Sequence, residues 1–325
     1  VRIASFNVEN LTDKPHADVP LSARIDVLRP QLKRMAADVV CLQEVDATRP
    51  GGTTNRELGA IRQLVEETPY ADFHIAYTHA PARDAPRDKH NLVVLSRWPI
   101  ARSAQYANDL VKAPAYNAVT ADPNAADARP LAWDRPVLHA EIPLPGGSLL
   151  HVLNLHLKAP LAVPVLGQKI GPFAWKSVAG WAEGYFLAAV KRSGQAFETR
   201  LVIDRIFDAN PKALIAIAGD FNAEEREAPL RILLGDPEDT GNGQLAGRAL
   251  ALPEHSIPKS RRFTVIHRGR KQMLDHLLVS RELLANYRGF EVHNEALGDE
   301  LVAYTLIESA PDSYHAPIVA RFELG

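Results

Sequence analysis

Seven short runs along the chain are apolar at both odd and even positions: RIASFNV, DVVCLQEV, NLVVLSR, LLHVLNLHL, ALIAIAGDFN, MLDHLLVS and APIVARFEL. Such runs, bounded by polar or turn residues, predict strands buried on both faces. Between them apolar residues recur at helical spacing. Residues 22–37 place Ile25, Leu28, Leu32 and Met35 on one stripe, with Pro30 expected to kink or restart the helix. Residues 55–67 repeat the pattern with Leu58, Ile61, Leu64 and Val65, and residues 195–208 with Phe197, Leu201 and Ile206. Strands alternating with helices predict an α/β protein. The segment PVLHAEIPLPGGSLLHVLNLHL reads as a hairpin around Pro145, Gly146 and Gly147, so antiparallel pairing enters as well. Residues 103–134, rich in Ala, Pro, Asn and Asp, read as a long loop. Residues 159–194 carry Phe173, Trp175, Trp181, Tyr185 and Phe186 and read as an insertion: a lid, a substrate wall, an oligomer contact or a piece packed on the body.

Polar residues collect at one end of these strands. Asn7 ends the first, Gln43 and Glu44 end the second, Asn154 and His156 end LLHVLNLH, and Asp220 and Asn222 end LIAIAGDFN. Asn154 and His156 are two apart and so share a face. The last two strands invert the order: Asp275 precedes LLVS, and Ser313, Tyr314 and His315 precede IVARF. If those two strands run antiparallel to the others, all these groups reach one edge of the sheets. Each alone reads as a turn cap or a hydrogen-bonded structural residue. Together they predict one site built from six segments.

Composition narrows the picture little. The 325 residues are 46% hydrophobic and 23% charged, with a formal net charge of −2. That balance does not fit a basic DNA-coating protein, but it admits a nucleic-acid enzyme with a local basic patch. No apolar run approaches the roughly 18 residues of a membrane-spanning helix. The one cysteine, Cys41, lies in an apolar run and reads as a buried, inert thiol. The chain starts at Val1 without a methionine, so the lack of a leader is uninformative and the compartment stays open.

The motifs SFNVENL, DVVCLQEV, LNLHLK, IAGDFN, LDHLLVS and SYHAPIV occur in the order seen in the endonuclease/exonuclease/phosphatase superfamily, and the chain resembles that family from residue 3 to about residue 322. NVENL and the spacing up to LDHLLVS look most like its bacterial extracellular-nuclease branch. The resemblance implies a four-layered α/β sandwich: two mixed, mainly antiparallel sheets packed face to face, with helices outside. It implies a single domain over 1–325, with 159–194 as an insertion.

It also implies a metal-dependent phosphoesterase using Mg²⁺ or Mn²⁺, with a nucleic-acid phosphodiester as the first substrate. A phosphatase, a phospholipid or small-molecule phosphodiesterase, or a catalytically altered binding protein are the alternatives. By resemblance Glu44 is the principal metal ligand and Asn7 assists with an oxygen, also bearing on phosphate. Asp220 orients or deprotonates the attacking water, and Asn222 donates to a phosphate oxygen. Asp275 fixes the tautomer of His315, which, protonated, binds the phosphate. His156 stands on the leaving-group side as general acid. Lys158 and Arg135 are within the same stretch, with exposed structural roles favoured over phosphate contact. The family's usual Ser-Asp-His is here Ser313-Tyr314-His315, which puts the metal environment in question. The site then binds its ion through Glu44 and Asn7 alone, or Asp312 reaches in, or Tyr314 donates to phosphate. His90 and Asn91, where the family has small residues, line the pocket or form a polar loop.

Overall fold

The structure is a computed structural model, described here over residues 1–14, 17–51, 53–81, 84–124, 127–300 and 310–324. In chain order the strands are β1 (Arg2–Leu11), β2 (Val39–Val45), β3 (His74–Tyr77), β4 (Asn91–Ser96), β5 (Arg102–Tyr106), β6 (Ala115–Tyr116) and β7 (Arg129–Pro130). They continue as β8 (Val137–Pro143), β9 (Leu149–His156), β10 (Leu214–Asp220), β11 (Leu250–Ala251), β12 (Val265–His267), β13 (Arg270–Gln272), β14 (Asp275–Ser280), β15 (Tyr287–Val292) and β16 (Ile318–Phe322). The helices that build the outer layers are α1 (Leu21–Met35), α2 (Gly59–Val65), α3 (Val178–Ala209) and α4 (Ala228–Leu234).

Two six-stranded sheets result, in the orders β15-β16-β1-β2-β4-β3 and β11-β14-β10-β9-β8-β5. Each contains one parallel pair, β1–β2 and β9–β10, and is otherwise antiparallel. Both late strands run as the order of polar residues required: β14 is antiparallel to β10, and β16 to β1. One core lies between the sheets, with Ile3, Cys41 and Val94 meeting Val152, Ala216 and Leu277. Burial pushes the Cys41 thiol far up, which fits an inert side chain. A second core joins the first sheet to α1 and α2 through Leu28, Leu32 and Ile61. A third joins the second sheet to α3 and α4 through Ile203, Phe207, Leu230 and Leu233. The order helix, sheet, sheet, helix is the expected four-layered sandwich.

The helices depart from the sequence reading in three ways. Pro30 does not break α1, because it sits on the exposed face, where the carbonyl it leaves unpaired faces water. The second helix is only Gly59–Val65. The third is far longer than 195–208 and absorbs the back half of the expected insertion. Its buried stripe is Ala196, Thr199, Val202, Ile203, Ile206 and Phe207, which leaves Phe197 exposed.

Thirty-two residues of helix span about 48 Å, against about 23 Å for a seven-residue strand. The chain leaves β9 at its C-terminal end and α3 leads back to the start of β10. The N-terminal half of α3 therefore overhangs the strand ends. Two buried carboxylates on α3 hold the long 103–134 segment, Glu183 on the overhanging half and Glu198 beyond it. Glu198 accepts from the backbone N–H groups of Asn108, Leu110 and Val111 and from Trp133 Nε1 at 2.7–3.3 Å. Glu183 accepts from Tyr116 Oη at 2.9 Å and from the N–H groups of Val119 and Thr120. Among the described residues no helix is long and apolar enough to cross a membrane.

Candidate active site

Strand register lines up three of the expected residues. Asp220, the last residue of β10, pairs with His156 on β9 and with Asp275 on β14. The preceding Gly219 has φ +152°, and a Cβ there would lie 1.9 Å from the Leu155 carbonyl oxygen. Only glycine lets β9 and β10 close so tightly beside the site.

The first sheet supplies its groups by breaking register. The β1–β2 ladder shifts between Asn7 and Leu11, and the β2–β4 ladder between Leu42 and Val45. Glu9, Asn10 and Glu44 in this bulged region all adopt left-handed backbone, as do His90 and Asn222 nearby. For Glu9 and Glu44 this costs about 1–2 kcal/mol each, and less for the two asparagines, whose short amide side chains tolerate the region. Five left-handed residues at one edge are strain concentrated where side chains must be re-aimed.

The two sheets meet through Asn7. Its Nδ2 donates to Glu44 Oε1 at 3.2 Å and, across the sandwich, to Asp220 Oδ2 at 3.1 Å. His156 Nε2 lies 3.2 Å from Asp220 Oδ2 and 3.7 Å from Glu44 Oε1. Asp220 Oδ1 accepts from the Asn222 N–H at 2.8 Å. His315 Nδ1 is 2.8 Å from Asp275 Oδ2, and its Nε2 is 4.0 Å from Asp220 Oδ2.

The Ser313-Tyr314-His315 turn is fastened to β1. The Ser313 hydroxyl donates to the Asn7 carbonyl at 2.7 Å and accepts from the His315 N–H at 3.1 Å. The Tyr314 N–H donates to Glu9 Oε2 at 2.9 Å. Glu9, absent from the sequence reading, thus brings a carboxylate to the corner where the family has its aspartate. Its neighbours in NVEN look like an ordinary strand end, so only the bulge reveals it.

Burial raises the Asp220 carboxyl to about 7, with Asp275 and Glu44 adding to the effect against His315 and the Asn222 N–H. Burial alone would depress His315, but Asp275 and Asp220 outweigh it and hold the imidazolium up to about 10. Burial also raises Glu9, with Glu44 contributing and the Tyr314 N–H opposing. His156 goes the other way. Burial, with Arg135, His90 and His315, pushes it well below its usual value, so it is a neutral imidazole.

The structure places the expected residues as follows. His156, read as the general acid, lies buried against the carboxylates of Asp220 and Glu44, with Nδ1 unpartnered and its imidazole shifted toward the neutral form. Asn7 was read as an oxygen ligand; its Oδ1 instead accepts from the Glu9 N–H at 2.9 Å, and its nitrogen faces the carboxylates. Asn222 was read as a phosphate donor; its Nδ2 is committed to the Leu157 carbonyl and Asp220 Oδ2, both at 3.1 Å. Asp312 does not reach in, because its carboxylate accepts from Gln31 Nε2 on α1 at 2.7 Å and from the Ser313 N–H. For Tyr314, one of the three readings of this corner, the side chain is 8% exposed and the backbone N–H donates to Glu9 Oε2.

Other residues divide between cleft and core. Gln43 and Asn154 are fully buried and bridge the sheets beneath the site, Nε2 to Oδ1 at 2.8 Å. Asn91 is a buried structural residue, donating to the Val45 and Arg87 carbonyls. His90 does line the site, 4.0 Å from Glu44 and held by Asn10 Oδ1 and Arg135. Arg135 is nearer the site than the sequence suggested, whereas Lys158 is paired with Asp134 at 3.2 Å.

Behind the row, buried His276 bonds to Glu254 Oε1 at 2.7 Å and to the Ala223 carbonyl at 2.9 Å, pinning the turn that carries Asn222. Burial opposes the charge, but Glu254 holds the imidazolium up to about 9. Glu254→Gln is expected to destabilise the fold by roughly 3–5 kcal/mol at pH 7, measured by urea unfolding. The folded value lies above the unfolded value of about 6.5, so this contribution is full below about 6.5 and fades as pH rises through about 9. The gap between wild type and variant should narrow over that window.

The donor set fits a hard divalent cation. Glu9, Glu44, Asp220 and Asp275 converge, and Asp275 Oδ1 is buried with no hydrogen-bond partner. Asp220, Asp275 and His315 place one ligand-type atom each within 4.8 Å of one another. Such an oxygen-rich cluster suits Mg²⁺ or Mn²⁺ better than zinc.

Residues 4–296 match the Endonuclease/Exonuclease/phosphatase family. No curated protein sequence matches the chain. Among solved structures, an endonuclease/exonuclease/phosphatase family protein from Leptotrichia buccalis is similar with TM-score 0.56 and 15% identity, over 99% of each chain. A mannosyl-6-phosphatase from Bacteroides thetaiotaomicron is similar with TM-score 0.58 and 13% identity, and an AP endonuclease from Archaeoglobus fulgidus with 0.50 and 13%, each over 100% of both chains. At these identities the structures speak for the fold, and the family match speaks for the chemistry. The chain belongs to the endonuclease/exonuclease/phosphatase family of phosphoester hydrolases.

Proposed function

We propose that the protein is a divalent-metal-dependent phosphodiesterase that works by in-line attack of water on phosphorus. The observation that carries this reading is the junction of the two sheets, where Asn7, Glu44, His156, Asp220, Asp275 and His315 meet within hydrogen-bonding or ion-pairing range. Glu44 and Glu9 would hold Mg²⁺ or Mn²⁺, which supplies positive charge to the phosphate when bound. Asp220, poised near neutrality and held by Asn222, takes the proton of the attacking water. His315, kept charged and oriented by Asp275, stabilises negative charge on the phosphoryl oxygens. As the P–O bond breaks, the departing oxygen takes a proton from solvent, while Asp220 later returns its own to water. Asn7 Nδ2 orients the carboxylates, and neutral His156 donates to them.

Nucleic acid is the substrate that goes with the motifs. A specific observation favours a second reading, an ester with an apolar part. Cations near the cleft are largely neutralised: Lys158 and Lys191 both pair with Asp134, and Lys14 pairs with Asp46 and Asp88. Strong binding to a polyanion needs unpaired cations. Meanwhile the segment leaving β9 at the site edge exposes Leu161, Ile170, Phe173 and Val178 at 70–98%, a patch suited to a lipid-water interface.

The test is a substrate comparison with Mg²⁺ or Mn²⁺: supercoiled plasmid, a chromogenic phosphodiester, a phosphomonoester, and phospholipid vesicles. Metal-dependent nicking supports the nuclease reading. Vesicle hydrolysis without nicking supports the second. Turnover of the monoester alone would overturn both.

A further inference from the structure

On the opposite face of the second sheet lies a cluster that the catalytic reading leaves unused. Register sets Glu141 on β8 directly across from His151 on β9, and His139 is two residues from Glu141 on the same face. That face also carries Val137 and Leu153, which pack beneath α3. It is the reverse of the face carrying Asn154 and His156, so the two clusters are separated by the sheet itself.

We propose that His139, Glu141 and His151 form a second metal site, one that takes a zinc-type divalent cation. Their ligand-type atoms all lie within 4.8 Å of one another. His139 Nε2 and His151 Nδ1 are 3.1 Å apart. Two imidazoles on one zinc, with bonds of about 2.0–2.1 Å at a tetrahedral angle, require a separation of about 3.3 Å, a few tenths more than is present. Burial, His151 and Arg102 push His139 down to about 4, and burial also lowers His151, so both rings are uncharged at neutral pH, the form that ligates. Among the described residues the cation paired with Glu141 is Arg102, across from it on β5, at 3.7 Å and with a side chain 69% exposed. His139 is buried while Glu141 and His151 are partly open, which leaves a direction from which water completes a fourth position. Two imidazoles and one carboxylate suit zinc, whereas the oxygen-rich catalytic cluster suits magnesium, so the two sites sort metals by donor type. A bound ion would clamp β8 to β9 next to the edge strand β5.

The test uses the full chain, stripped with EDTA and then held in excess Mg²⁺ to occupy the catalytic cluster, with Co²⁺ as the probe. The expected result is one Co²⁺ per chain with visible tetrahedral ligand-field bands, displaced by Zn²⁺ and unaffected by more Mg²⁺. Zn²⁺ should also raise the thermal midpoint. His151→Gln and Glu141→Gln should each weaken Zn²⁺ binding about a hundredfold or more, since even groups behind a ligand change affinity by about 10–100-fold. Glu141 is partly exposed, so its variant carries the test if His151→Gln fails to fold. No Co²⁺ bands, or binding that both substitutions leave unchanged, would overturn the proposal and leave a stacked, hydrogen-bonded histidine pair.

Discussion

Asp220→Asn should lower phosphoester hydrolysis by about 10²–10⁴-fold, the usual contribution of a positioned general base. Asparagine keeps the shape, and its Oδ1 accepts from the Asn222 N–H as aspartate does, but its NH2 would face the Nδ2 donors of Asn7 and Asn222, so the pH profile rather than the size of the loss isolates proton transfer. The wild-type pH profile carries a second signature. The base works only when ionised, and burial together with Asp275 and Glu44 holds Asp220 up to about 7. The rate should therefore rise with pH through about 7 and fall tenfold per unit below it. A cation beside the carboxylate favours its ionised form, so raising Mg²⁺ should move that limb to lower pH. The variant should lose the limb. An unchanged limb in Asp220→Asn would assign it to another group.

The second large effect belongs to His315 and Asp275, which should behave as one unit. His315→Ala removes the imidazolium and is expected to cost about 10²–10³-fold, comparable with losing one preorganised donor to a developing oxyanion. Asp275→Asn leaves the ring in place but removes the partner at 2.8 Å that fixes its tautomer and charge. The double variant should be little worse than the poorer single one, because each change disables the same function. Wild-type activity should also decline as pH climbs through about 10, where His315 gives up its proton. Losses that multiply in the double variant would show that Asp275 acts independently, for example on the metal.

Much of this architecture was legible because the strands are buried on both faces and read as continuous apolar runs. The reversal of β14 and β16 followed from a simple asymmetry. Asp275 opens its strand and His315 precedes its own, whereas Glu44, His156 and Asp220 stand at or next to the C-terminal ends of theirs and Asn7 lies in the second half of β1. What stayed hidden depends on tertiary geometry. Glu9 looks like a strand residue until the β1–β2 register breaks and its backbone turns left-handed. The side-chain amides of Asn7 and Asn222 look alike in sequence, but their orientation is set by neighbours on other strands. Residues 178–194 show no sheet-facing stripe, because that half of α3 overhangs the sheet and packs on loops pinned by Glu183. Asp312 attracted notice by its place beside Ser313, yet Gln31 on α1 draws it the other way.

The left-handed cluster also links fold to function. Glu9, Asn10, Glu44, His90 and Asn222 all occupy a costly backbone region within one edge of the sandwich. The four-layered core, with its three apolar interfaces, supplies the stability against which that strain is held. A glycine at Glu44 would relax the backbone and lose the carboxylate, so strain and the proposed metal ligand come together at this position.

The most direct test of the central claim is the rate of hydrolysis of a chromogenic phosphodiester by the wild type and Asp220→Asn, each with saturating Mg²⁺ and each with EDTA. The expected result is turnover by the wild type in Mg²⁺, abolished by EDTA and reduced at least about a hundredfold in the variant. Wild-type turnover that ignores EDTA, or a variant as fast as the wild type, would contradict a metal-assisted site built around Asp220.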